Sequence, residues 1–115
     1  MAESLIGTGF PFRGTDELDE YLKMFRIMTE KTAGLRRPGA AALDLAYVAA
    51  GRLDGFFEKG LYAWDIAAGS LLVTEAGGIV GDFAGESDYL YKGNVLAGPP
   101  KIFAQMVNLL SPFAK

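Results

Sequence analysis

Residues 34–60 read GLRRPGAAALDLAYVAAGRLDGFFEKG, and these residues decide the fold. Leu35-Arg36-Arg37 is a short extended segment stopped by Pro38-Gly39. Ala40 to Ala50 is rich in helix formers and closes at Gly51, a residue suited to the left-handed turn that ends helices. Asp54-Gly55-Phe56-Phe57-Glu58 then reads as a buried strand, with a turn at Gly60. One strand, one helix and a second strand in so short a span form the repeating unit of a layered α/β fold.

The same alternation extends in both directions. Upstream, Ser4 to Phe10 is a β-rich run ending at Pro11, and Gly14-Thr15-Asp16 offers turn and N-cap residues. Leu18, Tyr21, Leu22, Phe25 and Met28 recur at helical spacing, with Asp16, Glu17 and Glu20 near the start, Lys31 in the last turn and Gly34 beyond it. Downstream, Trp64 to Ala76 predicts a third helix stopped by Gly77-Gly78. Ile79 to Phe83 and Val95 to Ala97 predict two more strands around the polar stretch from Gly85 to Gly93, and Lys101 to Leu110 is a final amphipathic helix. The expected fold is α/β: a layered sheet of about five strands with four flanking helices, strand order left open. At 115 residues the chain is expected to form a single domain spanning 1–115.

Composition narrows the chemistry. Half the residues are apolar and 22% charged, as in globular proteins, and no apolar run approaches the ~20 residues that cross a bilayer. Met1-Ala2-Glu3 does not open a signal peptide, so a cytoplasmic location and no membrane partner are expected. A net charge of −3 without a dense basic block provides no broad footprint for nucleic acid. With no histidine and no cysteine, Ser-His-Asp triads, Cys-His pairs, thiolate zinc sites and disulfides are all excluded. Carboxylate chemistry remains, and carboxylates with a hard cation such as Mg²⁺ are a common route to difficult hydrolysis.

Several residues are candidates for that chemistry. Asp65, beside Trp64, stands where the third helix should begin; this placement suits an N-cap, and a metal ligand as well. Glu58 ends an apolar strand before a turn, the position at which α/β folds carry functional groups, although by position alone it reads as a solvated strand end. Asp54 and Asp44 read as turn and surface-helix residues, and Asp82 as the outward residue of an alternating strand. Pro38-Gly39-Ala40-Ala41-Ala42 places a tight turn and small side chains ahead of a helix, where backbone N–H groups could face an anion or a polar substrate, or where helices could pack closely. Gly7-Thr8-Gly9 is not a dinucleotide motif, because Phe10-Pro11-Phe12 follows where a helix would have to open.

The run quoted above, together with WDIAAGSLLVTEAGG at 64–78, resembles the carboxyl half of inositol monophosphatases, particularly those of the bacterial SuhB type. The resemblance covers nearly the whole chain, and its specific signature is Trp64-Asp65-Ile66-Ala67-Ala68-Gly69 with Glu75-Ala76-Gly77-Gly78. It implies that Asp65 is a ligand of the second magnesium ion and that Glu58 contacts a substrate hydroxyl. It also implies that Gly39, Ala40 and Ala41 face the ring of a small phosphorylated polyol; several family members carry threonine at the position of Ala40. The family's N-terminal glutamate, its DPLDGT-type motif and the threonine that activates the attacking water have no counterpart in this sequence. The chain is therefore expected to correspond to the C-terminal domain without the N-terminal metal-binding half, to be inactive alone, and to need that half as a partner. The resemblance further implies a homo-oligomer, with Arg36 and Arg37 near the subunit contact. It also opens a second role, in transcription antitermination through contacts with the transcription machinery.

Overall fold

A strand buried on both faces cannot stand alone, and β3 (Gly55–Glu58), all four of whose residues are buried, organises the sheet. The computed structural model describes residues 2–9, 15–36, 41–59, 63–87, 89 and 94–114, without the side chains of 15–17, 41–44 and 63–65. In chain order the elements are β1 (Leu5–Thr8), α1 (Thr15–Lys31), β2 (Gly34–Arg36), α2 (Ala41–Ala49), β3, α3 (Ala63–Glu75), β4 (Ile79–Gly81), β5 (Val95–Gly98) and α4 (Pro100–Leu110). A short 3₁₀ turn, Ser111–Phe113, follows. The expected rhythm of five strands and four helices holds among the described residues, with boundaries moved by one or two residues.

The strands line up as β2-β1-β3-β5-β4. β1 pairs in parallel with both β2 and β3, while β5 runs antiparallel to β3 and to β4, so the sheet is mixed. The chain moves from β1 outward to β2, then back past β1 to β3. Right-handed crossovers therefore place α1 and α2 on opposite faces. The packing agrees. Tyr21, Met24 and Met28 of α1 join Ile6, Phe57, Leu96, Phe103 and Met106 on one face. Leu45 and Val48 of α2 join Phe56, Ile66, Val73 and Val95 on the other. Phe56 and Phe57 point to opposite faces because side chains alternate along a strand. At the amino end of β1, Asp54 binds the backbone of Leu5 twice: its Oδ2 accepts from Leu5 N at 2.7 Å, and its own N–H donates to Leu5 O at 2.8 Å.

α3 ends as its sequence indicates. Gly77 takes φ +90°, its N–H donates to Thr74 O at 3.0 Å, and Gly78 N–H donates to Val73 O at 2.9 Å. On its outer side α3 leaves Leu71 60% and Leu72 49% exposed, with Ala67 and Ala68 also at the surface. This outer side is largely apolar up to Leu72 and turns polar at Thr74 and Glu75, both exposed. One expectation is corrected here. Asp82 lies beyond β4 and is 2% exposed, so it is not the outward residue of a strand. Its Oδ1 accepts the backbone N–H groups of Ala84 at 3.0 Å and Glu86 at 2.9 Å, tying the turn after β4.

α2 and α3 cross at Gly69, where an added Cβ would lie 2.6 Å from Leu45 Cβ. Alanine favours a helix over glycine by ~1 kcal/mol, but overpacking a core costs about 1–3 kcal/mol. Gly69→Ala should therefore lower the urea midpoint of unfolding, and a raised midpoint would show that the two helices do not meet there.

Candidate functional site

From the carboxyl end of β1 the chain turns to α1 on one face, and from the carboxyl end of β3 it turns to α3 on the other. Divergence of neighbouring parallel strands opens a crevice between their ends, the place where open α/β sheets bind ligands. Gly9, the residue after β1, and Glu58, the last residue of β3, sit in this crevice beyond the final ladder pair, Thr8 with Phe57.

Glu58 is 6% exposed, which overturns its reading as a solvated strand end. Its carboxylate lies against the backbone of Gly9: a Cβ at that position would run into Glu58 Oε1 and lie 2.7 Å from Cδ. Only a residue without a side chain lets the carboxylate settle there. Alternation along β3 turns Glu58 toward the face of Phe56, the face covered by α2 and α3. Both helices begin at the same edge, since each follows a strand whose carboxyl end is there. Ala41 is the first residue of α2, and Asp65 is the third residue of α3. Asp65 thus falls within the first turn of its helix and not at its cap; its side chain and that of Ala41 lie outside the description. Gly39, Ala40 and Arg37 lie outside the described residues.

Arg36 closes β2 at this edge. It is exposed, and its Nη1 donates to Leu35 O at 3.0 Å. The sheet topology thus brings Glu58, Asp65, Ala41 and Arg36 to one edge, and it sets Asp54 at the opposite one.

Two interactions at this edge have no signal in the sequence. Tyr21 Oη and Thr8 Oγ1 share a buried hydrogen bond of 2.9 Å, and the Tyr21 ring stacks on Phe57 with centroids 6.0 Å apart. Lys59 Nζ pairs with Glu20 Oε1 at 2.9 Å, a close ion pair rather than an aligned hydrogen bond. The helical spacing identifies Tyr21 as a core residue and Glu20 as a charge near a helix start, but partners 13 and 39 positions away are set by topology.

With neither histidine nor cysteine, the chain offers a metal no imidazole or thiolate, and its charged donors are carboxylate oxygens, which suit a hard cation. Among the described residues, no group of three or more Asp or Glu side chains converges on a point that could hold one. The donor chemistry fits magnesium in kind, and the described residues by themselves do not complete a site.

This fold matches part of solved inositol monophosphatase and SuhB structures. SuhB from Bartonella henselae matches with a TM-score of 0.89 at 45% identity, over 95% of this chain and 42% of that one. An inositol monophosphatase from Anabaena matches with a TM-score of 0.88 at 39% identity, over 96% of this chain and 45% of that one. The model of the inositol monophosphatase family matches residues 1–113, and the chain belongs to that family. It is 57% identical over 111 residues to Nus factor SuhB of Pseudomonas aeruginosa, covering 95% of the chain and 41% of that protein. It is 51% identical over 104 residues to Nus factor SuhB of Escherichia coli, covering 90% and 39%. The chain spans about two fifths of the length of the curated relatives it matches.

The contact of Gly9 with Glu58 is open to a direct test. Gly9→Ala should keep the far-UV circular dichroism of the fold and lower unfolding stability by about 1–3 kcal/mol, as overpacking does. The loss should largely disappear when Glu58 is also truncated to alanine, because contacting residues are energetically coupled. Equal losses in both backgrounds would show that the two residues do not touch.

Proposed function

We propose that this chain is the C-terminal part of a magnesium-dependent phosphatase that hydrolyses inositol monophosphate or a related small phosphate monoester. The observation that carries the proposal is the gathering of Glu58, the start of α2 and the first turn of α3 at one sheet edge, in a chain of this family. Asp65 would hold the cation through a carboxylate oxygen. When bound, magnesium supplies a Lewis acid for the leaving oxygen of the ester. Glu58, a carboxylate held in place by the backbone beside it, accepts a hydrogen bond from a hydroxyl of the polyol. Gly39, Ala40 and Ala41, at the start of α2, would offer small residues to the ring, as the family resemblance implies.

The remaining carboxylates and the activated water belong, in this reading, to an N-terminal half that packs beyond the exposed leucines of α3. Hydrolysis of phosphate monoesters needs an acceleration of up to ~10²¹-fold, so a site lacking most of its ligands should be silent. This chain alone should release no phosphate from inositol monophosphate and should bind Mg²⁺ weakly in a calorimetric titration; turnover without the other half would refute the division. Within the full-length protein, Asp65→Asn should fold normally and lose at least about a hundredfold in turnover, the upper end of what even indirect partners of a metal cost. Wild-type activity and magnesium dependence in that variant would remove Asp65 from the metal site. Glu58→Gln should weaken the contact with the hydroxyl by about 1.5–3 kcal/mol, the range of charge-assisted hydrogen bonds, and so lower kcat/KM for a polyol phosphate far more than for an aryl phosphate. Equal losses on the two substrates would contradict its role.

A second reading is a transcription-linked binding role. It is favoured by the relatives named Nus factor SuhB and by the exposed Arg36 on edge strand β2. Metal-independent binding of RNA polymerase or NusA by this chain, lost in Arg36→Ala, would support it. No binding would leave Arg36 with the subunit contact of a homo-oligomer.

A further inference from the structure

The crevice between β1 and β3 is bolted from behind by a single turn of α1. β1 is fixed to that turn through Thr8, whose Oγ1 shares a 2.9 Å hydrogen bond with Tyr21 Oη. β3 is fixed to it through Lys59, whose Nζ lies 2.9 Å from Glu20 Oε1. Thr8 immediately precedes Gly9 and Lys59 immediately follows Glu58, so each half of the contact in the crevice is one residue from an anchor. Alternation sends Glu58 to the α2 and α3 face and Lys59 to the α1 face, which is why one strand end can serve both purposes. The Lys59 and Glu20 side chains are only 11% and 24% exposed, so solvent screens the pair far less than it would a surface pair. The register with β1 runs as far as Thr8 and Phe57, and on its other side Glu58 pairs with Val95 of β5, so the pair on Lys59 acts one residue beyond the sheet pairing of β3.

We infer that Glu20 and Lys59 are positioning residues: their ion pair fixes the end of β3 so that the Glu58 carboxylate stays seated against Gly9, and it thereby sets selectivity for polyol phosphates. The inference rests on the reading of Glu58 as the group that meets a substrate hydroxyl. Neither Glu20 nor Lys59 touches the substrate in this account. A pair on the far face of the strand can alter the aim of Glu58 without altering the groups that act on phosphate, and small displacements of a positioned group are costly.

The test uses the full-length protein, with inositol monophosphate and p-nitrophenyl phosphate as substrates and a thermal melt of every variant. Glu20→Gln and Lys59→Met should each raise KM for inositol monophosphate about tenfold, the low end of what indirect partners of a site cost, with turnover of the aryl phosphate unchanged. The exchange Glu20→Lys with Lys59→Glu should restore the KM. If Glu20→Gln does not fold, Glu20→Asp keeps the charge but withdraws it by one methylene and should raise the same KM; an unchanged KM overturns the inference. Parallel losses on both substrates that the exchange does not repair would make the pair merely structural. Glu58→Gln is measured alongside. If it raises KM for inositol monophosphate while the Glu20 and Lys59 variants do not, the positioning role alone fails; if it leaves that KM unchanged, the reading of Glu58 falls and this inference with it.

Discussion

A carboxylate seated on a glycine backbone is the constraint around which this edge of the molecule is arranged. Glu58 is buried at the end of β3, and its Oε1 occupies the volume that any side chain at position 9 would need. For that seat to exist, β1 and β3 must be parallel neighbours in the observed register, with Thr8 beside Phe57. The register in turn requires α1 and α2 to cross on opposite faces, which the packing of Tyr21 and Met24 on one side and Leu45 and Val48 on the other secures. Burying a charge is costly unless polar groups or counter-charges are arranged around it, which constrains how this strand end can be built.

Stability comes from elsewhere. The largest buried side chains, Tyr21, Phe56, Phe57 and Phe83, lie in the two layers flanking the sheet and contribute through apolar burial. Asp54 and Asp82 are also engaged, but with backbone amides: Asp54 ties the start of β1, and Asp82 ties the turn after β4. These acids serve architecture, while Glu58 and Asp65 stand at the edge where parallel strands end and helices begin. The division follows from direction alone, since carboxyl ends of strands and amino ends of helices coincide in an α/β layer.

Much of this was legible in the residues. The 3.6-residue spacing of Leu18, Tyr21, Leu22, Phe25 and Met28 marks α1, and the glycines at 77 and 78 mark the end of α3, because both signals are local. Glu58 was legible as a strand end, but its burial was not: the glycine that admits it lies 49 positions earlier. Asp82 carries the alternation of a strand, yet a turn claims it, since two backbone N–H groups compete successfully for its oxygen. The Glu20–Lys59 pair and the Thr8–Tyr21 bond join segments that meet only after the sheet has formed. For Asp65, Gly39, Ala40 and Ala41, family resemblance in the sequence only proposes a role, and connectivity shows the edge on which α2 and α3 begin.

Under the proposed function, Glu58 receives a hydroxyl of the substrate at the β1/β3 crevice. The most direct measurement is a crystal structure of the full-length protein with an unreactive phosphonate analogue of inositol monophosphate bound. A ring hydroxyl is expected within about 2.6–3.2 Å of a Glu58 oxygen, hydrogen-bond reach, with the carboxylate still resting on Gly9. A ring bound away from this crevice, or a Glu58 that meets only protein groups in the complex, would contradict it.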